Sequence, residues 1–120
     1  MPAKIFNIHE RIYQFVLRTL KLIRLAAKNP ENIIIINQLS RSITSVGAND
    51  QEADGVSSKA DFVHCYTVVR KELKETNFWL RILGDLNINL KNKFTEEINE
   101  GKELIKIISK IINNSQKNIS

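Results

Sequence analysis

The chain has 120 residues, enough for one hydrophobic core, and a formal net charge of +5. Apolar residues make up 42% and charged residues 26%, which speaks against a disordered chain, and four glycines and two prolines are too few punctuators for a many-stranded β fold. The single cysteine, Cys65, excludes an intrachain disulfide, and no run reaches the roughly 18 apolar residues that a membrane span requires.

The first periodic segment covers 6–28. At 100° per residue, Ile8, Ile12, Phe15, Val16, Leu20, Ile23 and Ala27 share one broad face, with Tyr13 leaning toward it. Arg11, Arg18, Lys21, Arg24 and Lys28 fall on the other side. With Lys4 they face Glu10 alone, whereas residues 31–120 hold twelve charges of each sign, so residues 1–30 carry the whole net charge. Asn29-Pro30-Glu31 then ends one helix and starts another, because Asn caps, Pro suits the first helical position and Glu favours the positive end of the dipole.

The second segment covers 31–54. Its run Ile33 to Ile36 has strand propensity, but Ile36, Leu39, Ile43, Val46, Asp50 and Ala53 keep helical spacing, and Gln38, Ser42, Ser45, Asn49 and Glu52 form a polar stripe beside them. Gly55 closes it. Ser58 to Asp61 resembles a capping box opening a third helix, 58–86, with Phe62, Tyr66, Val69, Leu73, Leu80 and Leu83 on its main face. Phe78, Ile82 and Val68 extend its apolar surface beyond one core and predict an interface. After a loop at 87–92, the last helix covers 93–113, lined by Phe94, Ile98, Gly101, Ile105, Ile108 and Ile112. Its glutamates lead and its lysines follow, as the helix dipole prefers. The tail from Asn114 is expected to fray. Four such helices with short links predict an all-α, antiparallel up-down-up-down bundle forming a single domain over 1–120.

Catalytic and metal motifs are missing. There is no Gly-rich phosphate loop and no zinc-ligand spacing. His64 and Cys65 are adjacent, so a helix points them about 100° apart, and Cys65 reads as a small core residue. Asp50, Glu72 and Thr76 fall within apolar arcs. A carboxylate pair of the di-iron kind would need Glu-x-x-His motifs, which do not occur. The alternative is a structural polar network of Arg41, Asn49, Asp50, Glu52, Glu72 and Thr76, with no metal and no cofactor. No acid, base and nucleophile can be named together, which predicts a non-enzyme. The basic face of the first helix reads either as an ordinary solvated surface or as a phosphate-binding one.

From Ser45 to Leu83 the chain resembles a known pattern: Ser45-Val46-Gly47-Ala48-Asn49, Glu52-Ala53, Ser58-Lys59-Ala60-Asp61-Phe62-Val63-His64 and Lys71-Glu72-Leu73-Lys74-Glu75-Thr76-Asn77-Phe78-Trp79-Leu80-Arg81. These blocks look like those of the bacterial four-helix-bundle proteins encoded by intervening sequences of large-subunit ribosomal RNA genes, to which the accessory protein of diversity-generating retroelements is related. The resemblance implies a ring-like homopentamer without known enzymatic activity. It also implies, from the retroelement branch, RNA or DNA and a reverse transcriptase as partners of a basic surface. The family's more usual Asn-Ile-Ala-Glu-Gly reads here Asn49-Asp50-Gln51-Glu52-Ala53, which marks a variant subgroup. The expectation is therefore a cytoplasmic, homo-oligomeric, nucleic-acid-binding protein with Arg11, Arg18, Lys21, Arg24 and Lys28 as contacts. The alternative is a scaffold that binds a protein through exposed apolar helix surface.

Overall fold

The computed structural model describes residues 7–119. Phe6, the start of the first segment in the sequence, and Lys4, counted with its charge, lie outside the described residues. Among the described residues, four α-helices follow one another: α1 Ile8–Ile23, α2 Pro30–Gly55, α3 Lys59–Leu86 and α4 Lys91–Ile119, with a 3-10 turn at Ile88–Leu90 before α4. The start signals act as read. The Asn7, Asn29 and Ser58 side chains accept the backbone N–H of Glu10, Asn32 and Asp61, and Pro30 occupies the first turn of α2.

Polar cross-links report the topology directly. Between α2 and α3, Asn32 meets Asn87, Ser42 meets Thr76 and Asp50 meets Tyr66. As one number rises the other falls, so the pair is antiparallel. Arg70 reaching Ser109 and Asn77 reaching the Ile98 carbonyl say the same of α3 and α4. Arg11 with Glu100 and Arg18 with Glu97 say it of α1 and α4. The bundle runs up-down-up-down.

The core is continuous through all four helices. Ile12, Phe15 and Ile23 enter from α1, Leu39, Ile43 and Val46 from α2, Tyr66, Val69, Leu73, Leu80 and Leu83 from α3, and Phe94, Leu104, Ile108 and Ile112 from α4. Two glycines let α4 come close to α3. A Cβ on Gly84 would stand 3.1 Å from that of Phe94, and one on Gly101 would overlap the Asn77 amide.

Three details differ from the sequence reading. The first helix stops at Ile23 rather than Lys28. Asn29 must be extended to cap α2, with ψ 169° and a proline after it, so the chain leaves the helix through bonds from Leu25 and Ala26 N–H to the Leu22 and Ile23 carbonyls. Tyr13 turns outward and is 56% exposed. The last helix continues through the expected frayed tail to Ile119, because no glycine or proline interrupts residues 102–119.

Candidate nucleic-acid interface and the polar clamps of α1

The five cations expected to form one basic face have different fates. Arg11 makes a two-pronged pair with Glu100 of α4, Nε to Oε2 at 2.8 Å and Nη2 to Oε1 at 2.9 Å. That bond raises the affinity of the guanidinium for its proton. Arg18 donates from Nε to Glu97 Oε1 at 3.1 Å, and the buried Thr19 hydroxyl donates to Glu97 Oε2 at 2.7 Å. Burial pushes the Glu97 carboxyl upward, against the lowering effect of those two donors. Lys21 and Arg24 are exposed and have no ion-pair partner among the described residues. Lys28 donates to the Ala26 carbonyl at 3.0 Å, which leaves its charge uncompensated. Two of the five are therefore internal clamps, and the unneutralised positive charge gathers at the C-terminal end of α1.

The polar network expected on α2 and α3 divides into separate groups. Near one end, Asp50 is 1% exposed, and both its oxygens lie 3.0 Å from His9 Nδ1 of α1. Tyr66 donates its hydroxyl to the same carboxylate at 2.8 Å, and burial followed by the Asp50 charge pushes the phenol well up. Asp54 approaches the ring from its other nitrogen, 3.5 Å from His9 Nε2. Midway along the bundle, Thr76 and Ser42 share a buried hydrogen bond of 2.9 Å. Arg41 sits beside two carboxylates there, 3.5 Å from Glu72 and hydrogen-bonded to Glu75. Trp79 also donates to Glu75 at 3.0 Å, and that bond, followed by Arg41, holds the Glu75 carboxyl below its ordinary value. Glu72 Oε1 is buried and receives no hydrogen bond, so the Arg41 charge is its compensation.

Asn49 bonds only within its own helix, to Ser45. Glu52 is exposed and has no partner among the described residues, so it stands apart from both groups. Asn49 and Glu52 follow helical spacing along α2, but there the stripe turns from the buried Ser42 to half-buried Asn49 and exposed Glu52. Among the described residues, no three His, Cys, Asp or Glu side chains are placed to hold a metal ion. No described helix is long and apolar enough to cross a membrane.

Sequence reasoning missed two members of the Arg18 clamp, the acceptor Glu97 and the second donor Thr19. Glu97 stands three residues after the buried Phe94, and Thr19 four after Phe15, so both lie on core faces at helical spacing. That signal was available. Which helix would answer them was not. The interface expected around Val68, Phe78 and Ile82 is also redistributed. Phe78 is 55% exposed, whereas Val68 and Ile82 are half-buried. Leu25, Ile33, Ile34, Leu86 and Ile88 are exposed at the end of the bundle where α1 and α3 finish.

This geometry defines an all-α four-helix bundle whose first helix is docked by charged and polar bonds. The family model of the 23S rRNA-intervening sequence protein matches residues 4–110, and the chain belongs to that family. Among solved structures it is similar to the 1.70 Å crystal structure of a protein of unknown function from the S23 ribosomal protein family of Bacteroides thetaiotaomicron. The two share 28% identity over 88% of this chain and 97% of that one, with a TM-score of 0.79. No curated protein matches it.

Proposed function

We propose that the protein is a non-catalytic, homo-oligomeric nucleic-acid-binding protein that holds RNA or DNA by its phosphates. The observation that carries this reading is the group of Lys21, Arg24 and Lys28, three cations that no carboxylate among the described residues neutralises. Such charges attract a polyanion by releasing its counterions, without reading sequence. The name of the family, which refers to 23S rRNA, supports RNA over DNA as the first ligand to test. Leu25, Ile33, Ile34, Leu86 and Ile88 support self-association, since a cluster of exposed apolar side chains at one end is a common mark of an interface.

The test is the triple variant Lys21→Gln, Arg24→Gln, Lys28→Gln. Arg18 is left in place because removing it would strip a buried carboxylate of its partner. The variant should keep its circular dichroism spectrum and bind RNA more weakly. Its logarithmic salt slope should be shallower by about 0.7–0.9 for each phosphate that the variant no longer neutralises. Equal binding at every salt concentration would reduce this surface to a solvated one. A monomer by light scattering at micromolar concentration would remove the oligomer. The same apolar end favours a second reading, a scaffold for another protein such as a reverse transcriptase. Salt-insensitive co-purification of a protein partner would support it.

A further inference from the structure

The seam between α3 and α4 carries a second group of cations, and its surroundings differ from those on α1. A groove there has Leu80, Gly84, Phe94 and Ile98 along it, with Arg81 and Lys102 among its lining residues. Arg81 and Lys102 are exposed and make no ion pair among the described residues. Lys74 precedes Arg81 by seven residues, two helical turns, so both stand on one face of α3, and Lys74 too is exposed and unpaired among the described residues. The nearby carboxylates are already answered. Asp85 pairs with Lys91 at 3.2 Å, and Glu75 is taken by Arg41 and Trp79.

Between these cations stands an aromatic ring. Phe78 is four residues after Lys74 and three before Arg81, which places it on the same face. It is 55% exposed, a costly position for so large an apolar side chain. It is also braced. The Trp79 ring packs against it edge to face, with centroids 5.0 Å apart and planes at 66°. Trp79 is itself anchored by its bond to Glu75. A braced, exposed ring flanked by unpaired cations is the arrangement that single-stranded nucleic acids require, because bases stack on the ring while phosphates meet the charges. A duplex keeps its bases in their own stack and gives such a ring nothing to hold.

We propose that Phe78, Lys74, Arg81 and Lys102 form a single-strand binding surface, in which Phe78 stacks on a base and the three cations hold the phosphates beside it. This rests on the nucleic-acid reading above and adds to it a preference for unpaired strands. Fluorescence anisotropy with labelled oligouridine and with an RNA duplex of the same length tests it on the full chain. The parent should bind oligouridine more tightly than the duplex at equal salt. Phe78→Ala should weaken oligouridine binding by about tenfold and leave duplex binding unchanged, and Phe78→Trp should restore the preference. Lys74→Gln, Arg81→Gln and Lys102→Gln together should make the salt slope on oligouridine shallower by about 2. If the parent binds RNA but Phe78→Ala binds as the parent does, this site is overturned and the broader reading stands. If the parent binds neither probe, both fall. If Phe78→Ala keeps its affinity but lowers the mass of the assembly, Phe78 is a protein contact and the proposal is wrong.

Discussion

Helix α3 and helix α1 belong to one bundle but are held in it by different physics. Helix α3 lies between α2 and α4 and buries Tyr66, Val69, Leu73, Leu80 and Leu83 almost completely. Its polar rungs, Ser42–Thr76 and Tyr66–Asp50, are mostly removed from water. Helix α1 sends fewer apolar side chains into the core, chiefly Ile12, Phe15 and Ile23. It is fastened instead by His9–Asp50, Arg11–Glu100 and Arg18–Glu97, each with at least one partner partly in solvent. Apolar burial is insensitive to salt and changes little between mild pH values, whereas partly exposed ion pairs respond to both. One side of the bundle is thus stable against ordinary changes of solution, while the first helix is the element that solution conditions can loosen. Native-state hydrogen exchange should therefore open α1 before α3.

The largest contrast comes from removing a core side chain of α3. Leu73→Ala should cost about 2–5 kcal/mol and lower the denaturant midpoint of the whole protein, because Leu73 is completely buried in the core and its truncation leaves a cavity there. A loss confined to α1, with α3 amides still protected, would contradict this division of the bundle. Asp50→Ala tests the other side. It removes the acceptor shared by His9 and Tyr66, and leaving the buried phenol unanswered should cost about 1–3 kcal/mol. Exchange in α1 should rise more than exchange in the middle of α3. Uniform acceleration would show that this junction supports the fold as a whole.

The smallest effect concerns pH. Burial raises the Glu97 carboxyl above its ordinary value, so the folded protein holds this proton more tightly than the unfolded chain does. Its contribution is then full at pH values below the ordinary carboxylate range and declines as pH rises toward the folded value. Glu97→Gln removes that dependence. Relative to the parent, the variant should gain stability between mildly acidic and neutral pH, as read by urea midpoints across that range. A relative loss over the same interval would mean that Arg18 and Thr19 outweigh the burial.

Much of the molecule is legible in the chain alone. Helical spacing identifies Leu39, Ile43, Val46, Leu73 and Leu80 as core, and Asn29 and Ser58 as starts, because periodicity and capping are local and act within a few residues of chain. The same local logic marks Asp50, Glu72 and Thr76 as polar groups on buried faces. It could not say that His9 and Tyr66 would answer Asp50 from two different helices. Nor could it see that Glu97 and Glu100 would neutralise Arg18 and Arg11, residues 79 and 89 positions away in sequence. A charge count along the chain places all of the excess on residues 1–30. Folding redistributes it, because ion pairs form between whichever helices are neighbours in space, and only the packed bundle decides which cations are left to face the solvent.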